Sequence, residues 1–592
     1  MRLLKKYCLP LVLLFSLGSC RYDSNLLTPL NDNHNTINRT YTDPLFAEGL
    51  LMYGYTKLPT NSYSFNDVAT DNAVTNNMVD PYHRAATGEW TGLYNPFSQW
   101  DNCLMGIQSV YQFLTVADTV PWNTVTPELN SLFKIRFKGE SYGLIGLLEY
   151  HLLQTIGGVG TNGNLLGIPL YDKFINATDN LNVPRATFTA SINKIYADFD
   201  KSLQYLTMND YGNITDASQL PAGLTGYSIV SYNSIFGDAY RQRLSGRIVK
   251  AYKARVALLA ASPAFNNGDV TLWQTAAIYA AASLNDIGGI AGLDPNGHKW
   301  YDQLRTDAVN IGGSPTKDQK EMIWRTTTTL SNTREATNFP PSLFGKGNIN
   351  PTQNLVDAFP MKNGYPISNP LSKYVATTPY SSRDPRLELY IAYNGCTMKG
   401  TTIKTGIGGG MNAKDSLNIS TRTGYYLRKL LREDVNMDPA ASTTKKHYEV
   451  HMRYTEMFLI YAEAANEAYG PDGMAPGVSF SARNVIRAIR KRAGITQADQ
   501  YLNSINSQED MRNLIRNERR LELCFEGDRF WDLRRWNTDL TVPAKGVNIN
   551  NAGTSFSVVE VEPRRYSDYM IYGPLPENEI LKYNALVQNR GW

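Results

Sequence analysis

Apolar residues recurring at helical spacing, in runs stopped by glycine or proline, constrain this chain more than any other feature. In SLFKIRFKGESYGLIGLLEYHLLQTIGG the apolar positions Leu144, Leu147, Leu148, Leu152 and Ile156 share one helical face, and Gly157-Gly158 ends the run. TFTASINKIYADFDKSLQYL places Ile192, Ile195, Phe199 and Leu203 in the same way after a Thr/Ser-rich start. SGRIVKAYKARVALLAASPAFN has Ser245 as a cap candidate, a small-residue face through Ala251, Ala254, Leu258 and Ala261, and Pro263 as its stop. HMRYTEMFLIYAEAANEAYG and SARNVIRAIRKRAG form a further pair, each closed by glycine. Small residues at helix contacts let backbones approach closely, as in helix-pair arrays, although no strict 34-residue period is visible. The expectation is a mainly α protein.

Between the helices lie stretches rich in Gly, Pro, Asn and Thr, the longest over about 285–445. Loops of this length inside a compact protein usually carry function. The organisation expected is one domain over 41–592. A helical scaffold occupies about 41–285 and 446–540, and a loop-rich ligand face occupies about 286–445.

The chain opens MRLLKKYCLPLVLLFSLGSC. Arg2, Lys5 and Lys6 precede a short apolar run from Leu9 to Leu17. A permanent transmembrane helix needs about 20 apolar residues, so this reads as an export signal over 1–19. Leu17-Gly18-Ser19-Cys20 resembles a bacterial lipobox, which implies cleavage before Cys20 and acylation of its thiol and new amine. Several acyl chains on one residue hold a soluble domain at a membrane. Residues 20–40 read as a polar tether, and the mature protein is expected to be anchored rather than spanning. Cys103, Cys396 and Cys524 remain, odd in number and without a CxxC, so no disulfide framework is expected. Net charge is +4 over 592 residues, with no basic run of the kind that binds nucleic acid. No motif asks for a cofactor. His447 and His451 have a metal-capable spacing, but Glu449 is misplaced for a zinc-protease helix and no third ligand offers itself.

The stretch Arg516–Asn537, RNERRLELCFEGDRFWDLRRWN, is the densest in charge and aromatics. On one helix Glu518, Glu522 and Glu526 would share a face at i, i+4 and i+8. Catalytic carboxylates for glycoside hydrolysis must flank a scissile bond, and a general acid needs a raised pKa. Here arginines surround the acids and should lower it. The reading is therefore a structural ion network of Glu518, Arg519, Glu522, Glu526, Arg529, Asp532 and Arg535, packed with neighbouring aromatics.

That stretch resembles the C-terminal signature of the SusD/RagB-like family, the nutrient-capturing lipoproteins of Bacteroidetes-type outer membranes. KGESYGLIGLLEYHLLQTIGGVG…GIPL, GRIVKAYKARVALLAASPAFN, RYTEMFLIYAEAANEA with ARNVIRAIRKRAG, and YMIYGPLPENEILKYNALVQNRGW resemble further family segments, in order. Two departures stand out. The usual terminal Asn-Pro…Asn-Pro-Gly is here Asn584-Ala585…Asn589-Arg590-Gly591, and VGTNGNLL is inserted before Ile168-Pro169. The resemblance implies four tetratricopeptide-like helix pairs, an outer-membrane address, no catalysis, an oligosaccharide ligand, and a SusC-like TonB-dependent β-barrel as partner. A peptide ligand, as in some members, or a glycoside hydrolase of the same pathway are the alternatives.

Sugars present apolar C–H faces, on which aromatic rings stack, and hydroxyls that meet Asn, Asp and Arg. The early segment offers Asp71, Asn72, Arg84, Trp90, Tyr94, Trp100 and Asn102 for this, and the middle of the chain offers Trp300, Tyr301 and Trp324. The competing reading for the tryptophans is core packing.

Overall fold

Thirty consecutive residues, Pro127–Ile156, form one helix that is buried on nearly all sides over its second half. A helix buried all round belongs in the middle of a protein, and this one, which buries Arg136, Glu140, Glu149 and His151 among its apolar residues, is the hub of the scaffold. The computed structural model describes residues 42–62, 64–309, 318–495 and 498–592. The export segment, the tether and Cys20 lie outside them.

The longer helices follow in order: α1 (Pro44–Thr56), α2 (Trp100–Val116), α3 (Pro127–Ile156), α4 (Phe188–Tyr205), α5 (Ile229–Phe236), α6 (Gly246–Ala261), α7 (Thr271–Asn285), α8 (Tyr454–Tyr469), α9 (Ala482–Arg492), α10 (Gln508–Leu523) and α11 (Arg529–Arg535). Their starts are fixed locally. Asp43 Oδ1 accepts from the Leu45 and Phe46 amides ahead of α1, with Pro44 at its first turn. Thr187 and Ser507 cap α4 and α10 in the same way.

Neighbours in sequence pack in space. α1 lies on α2, α2 on α3, α3 on α4, α4 on α6, α6 on α7, α7 on α8, and α8 on both α9 and α10. This is a tetratricopeptide-like array of helix pairs: α1/α2, α3/α4, α6/α7 and α8/α9. Small residues set the contacts. On α7 these are Ala276, Ala277, Ala280 and Ala281, and on α8 Ala462, Ala464 and Ala465, all buried. On α3, a Cβ added at Gly146 would come within 2.7 Å of the Phe199 ring of α4.

The stretch between α7 and α8 is built from short elements around a second core that contains Trp300, Tyr301, Leu355, Tyr390, Tyr425 and Phe525. Two antiparallel strand pairs bind it to the scaffold. Met322–Arg325 pairs with Val450–Arg453, which leads directly into α8, and Ala73–Thr75 pairs with Ile349–Pro351. His447 and His451 lie on strands, Lys445–His447 and Val450–Arg453, so their spacing is not that of a helix face. Cys103, Cys396 and Cys524 are buried and free.

One continuous helix through Glu526 does not form. α10 ends at Leu523, and Phe525 (φ 64°) and Gly527 (φ 88°) turn the chain through the left-handed region before α11. Glu518 and Glu522 share a face of α10, while Glu526 sits in the turn. The acids here are held from several directions. Glu518 accepts from Arg386 (3.0 Å) and Arg490 (2.8 Å), and Glu522 accepts from Arg386 (3.0 Å) and Arg492. Glu526 accepts from Lys429 (2.6 Å) and Arg453 (2.7 Å). Arg519 and Arg535 both donate to Asp532, and Arg535 also donates to Glu463 of α8 at 2.6 Å. Arg529 and Arg520 clasp Asp71 from two sides, each at 2.9 Å. These charges join the second core, the last helices and the early loop.

Candidate functional site

Where the helix array meets the second core, a two-lobed cleft opens. The first lobe, about 480 Å³, lies between the segment after α1, the start of α2, the end of α3, α6 and the α10–α11 turn. The second, about 540 Å³, lies between that same segment, residues 238–243 and the strand carrying Trp324 with the threonines after it. Leu58, Asn61 and His451 line both lobes. Each volume is that of an ordinary small-molecule site.

Neutral polar groups make up much of the first lobe's wall. Asn61, Asn66, Gln99, Asn102 and Gln154 contribute amides, and Thr60, Ser62, Ser64 and Thr155 contribute hydroxyls. Tyr82, Phe97, Tyr150 and Trp531 supply aromatic edges. The imidazoles are neutral, since burial pulls both His151 and His451 down to about 3. His451 bonds Thr60 Oγ1 through Nδ1 at 2.6 Å and packs its ring 4.1 Å from Trp324.

Apart from Lys57, whose ammonium lies over the Tyr53 ring, charge lining the cleft is paired within the protein. Burial raises the Asp528 carboxyl well above the usual carboxylate range, with Glu456 adding to it, against the pull of Arg519 at 2.9 Å. Glu526, beside it, is held below its ordinary value by Arg453 and Lys429. The lowering expected from the surrounding arginines holds for Glu522 and Glu526, while Asp528, which that expectation did not cover, goes the other way.

Of the residues singled out in sequence, Asn102 stands exposed at the cleft and Trp324 lines its second lobe with an edge. Trp324 is 3% exposed and donates through Nε1 to the Gln242 carbonyl at 3.0 Å. Trp90 is likewise 3% exposed, bonded to Asn95 and ringed by Phe97, Phe530, Tyr566 and Trp592. Trp100 belongs to the scaffold core, and Trp300 stacks on Tyr448 in the second core beside Tyr301. A stacking platform of Trp90, Trp300 and Trp324 is thus not a surface of this structure. These rings are consumed by core packing, as apolar area of that size usually is. Asp71 is clasped by its two arginines, and the buried Asn72 is bonded to Asp67 and Arg520. Arg84 and Tyr94 do come together, with the guanidinium 4.3 Å over the ring and paired to Glu89 on open surface.

Sequence reasoning missed residues 57–62, Ser64, Gln99, Gln154, His151 and the α10–α11 turn. Asn61 and Ser62 carried only the weak signal of a polar run after a helix.

Residues 313–592 match the model of the SusD family. The chain as a whole superposes on a SusD-like protein from Bacteroides fragilis with a TM-score of 0.69, at 21% identity, over 95% of this chain and all of that one. This is a SusD-like fold. A second structure from Bacteroides fragilis, a SusD-like carbohydrate-binding protein, gives a TM-score of 0.66 at 18% identity over 93% of this chain and 99% of its own. A laminarin-binding SusD-like protein gives 0.54 at 17% identity over 92% of this chain and 99% of its own. SusD-like protein P2 of Formosa agariphila is 29% identical over 145 residues, 24% of this chain; the chain spans a quarter of that relative's length. In this chain the departures at Ala585 and Arg590 flank a well-packed Asn589. Asn589 is fully buried, donating to the carbonyls of Ile156 and Gly573 and accepting from Arg185.

Proposed function

We propose that this protein captures an oligosaccharide in the two-lobed cleft and passes it on unaltered. The observation that carries the reading is the cleft wall: side-chain amides, hydroxyls and aromatic edges converge on two joined lobes of about 480 and 540 Å³. Hydroxyls both donate and accept, so amide-rich walls suit them. The carbohydrate- and laminarin-binding proteins that share this fold support the same reading. In this account Cys20 carries the lipid, the outer membrane is the address, and a SusC-like TonB-dependent barrel receives the ligand.

A hydrolase reading has one observation in its favour, the raised carboxyl of Asp528. Its neighbours oppose it. Asp532 is committed to Arg519 and Arg535, Glu526 to Lys429 and Arg453, and Glu456 to Arg255. No free carboxylate among the described residues stands opposite Asp528. A peptide ligand is the remaining alternative.

Isothermal titration against a panel of oligosaccharides and peptides tests the reading, with product analysis after prolonged incubation. Saturable oligosaccharide binding, intact ligand recovered, and a loss of about tenfold or more in affinity in an Asn61→Ala/Asn102→Ala variant are expected; tenfold corresponds to about 1.4 kcal/mol. Binding confined to peptides, or release of shorter sugars, would replace it with one of the alternatives.

A further inference from the structure

The cleft's arginines are already spent on the protein's own acids. In the second lobe Arg241 is paired with Asp238 (2.5 Å), Arg243 with Glu140 (2.7 Å) and Arg325 with Asp318 (2.6 Å). In the first lobe Arg255 is paired with Glu456, Arg519 with Asp528 and Asp532, and Arg535 with Glu463. Lys57 is the remaining lysine of the lining, and its ammonium lies 4.7 Å over the Tyr53 ring. Glu449 and Glu526, the other acids of the first lobe, are paired with Arg334 and with Lys429 and Arg453 respectively. An anion entering would shed water and find guanidinium groups whose charge is already balanced, so its desolvation would go uncompensated.

A second, independent observation points the same way. Asn66 Oδ1, Gln99 Oε1, Glu449 Oε2 and His151 Nε2 are buried atoms of residues lining the first lobe, and none has a hydrogen-bond partner within the protein; the Arg519 Nη1 donor is unpartnered too, and a hydroxyl, which both donates and accepts, can serve donor and acceptors alike. Asn66 and His151 are 4% and 6% exposed. Two of these atoms are amide oxygens and can only accept. They call for a ligand that donates, which a hydroxyl does and an ionised carboxylate or sulfate cannot.

We infer that this cleft selects neutral, hydroxyl-rich sugar chains and turns away chains bearing uronate or sulfate groups. The inference rests on the capture reading above and narrows its ligand class. The charge balance of the lining and the acceptors Asn66 and Gln99 set the selection together.

The test titrates the full-length protein with neutral gluco-, manno- and xylo-oligosaccharides, with size-matched oligogalacturonides and sulfated carrageenan oligosaccharides, and with a peptide mixture. A neutral chain binding at least about tenfold tighter than every anionic one is expected. A second arm uses Asp318→Asn, which strips Arg325 of its partner. Affinity for oligogalacturonide should rise about tenfold in that variant, about 1.4 kcal/mol, with circular dichroism showing the fold retained. Anionic chains binding as tightly as neutral ones, or a folded Asp318→Asn protein with no gain, would overturn the selectivity while leaving glycan capture standing. Binding of peptides alone, or of nothing in the panel, would overturn capture itself and this inference with it.

Discussion

Asp532 accepts from Arg519 at 2.8 Å and from Arg535 at 2.8 Å, and all three side chains are buried. Its removal leaves two guanidinium groups short of a partner in a place water does not reach. Breaking a buried pair from one side costs about 3–5 kcal/mol, and Asp532→Ala should lower the urea-unfolding free energy by about that much. Arg529→Ala should cost less, because Asp71 keeps Arg520; equal losses in the two variants would contradict this assignment of partners. The neutral histidines give a pH dependence. Both are pulled down to about 3, below the ordinary 6.5, so the unfolded chain binds more protons than the folded one between those values. Their contribution is therefore fully present above about pH 6.5 and is lost as pH falls toward 3, on the order of 2 kcal/mol each at pH 5. Thermal midpoints at pH 7 and pH 5 check it, and the difference should shrink in His151→Gln. At this scale sequence reading was weakest. Trp90 and Trp324 look like ligand aromatics by type, yet their indole N–H groups are bonded inside the protein to Asn95 and to the Gln242 carbonyl. Nothing in residue type distinguishes a ring that packs from a ring that stacks on sugar.

The helices were the legible level. Their apolar spacing and Gly or Pro stops announced α3, α4, α6, α8 and α9, because a helix buried on one side must repeat near 3.6 residues. α10 was legible only in part. Its periodicity ran on past Leu523, while the chain turns at Phe525 and Gly527, where Glu526 pairs with Lys429 and Arg453 and Asp528 bonds Arg519. Tertiary ion pairing accompanies the break in local pattern there. The glycines of the array separate two physical situations. At Gly146 a Cβ would meet Phe199 at 2.7 Å, whereas at Gly49, exposed within α1, nothing lies within 4 Å. Gly146→Ala should destabilise by about 1–3 kcal/mol through overpacking. Gly49→Ala should stabilise by about 0.5–1 kcal/mol through helix propensity. Chemical unfolding of the pair checks both, and a neutral Gly146→Ala would mean that α3 and α4 are not in register as described.

Across the whole molecule, one ion network does the joining. Arg386 and Lys429 of the second core reach the end of α10, Glu463 of α8 reaches α11, and Asp71 of the early loop reaches Arg520 and Arg529. The cleft lies against this junction, so its walls come from segments far apart in sequence. That is why the site was scarcely legible: Asn61, Gln99, His151, His451 and Asp528 share no motif, and only the folded chain brings them together. Isothermal titration of the intact protein with neutral oligosaccharides, repeated on the Asn61→Ala/Asn102→Ala variant and followed by analysis of the recovered ligand, tests the account most directly. Saturable binding that weakens about tenfold or more in the variant, with every recovered chain at its original length, is the result predicted. Binding that ignores both substitutions, or chains returned shorter than they were supplied, would contradict it.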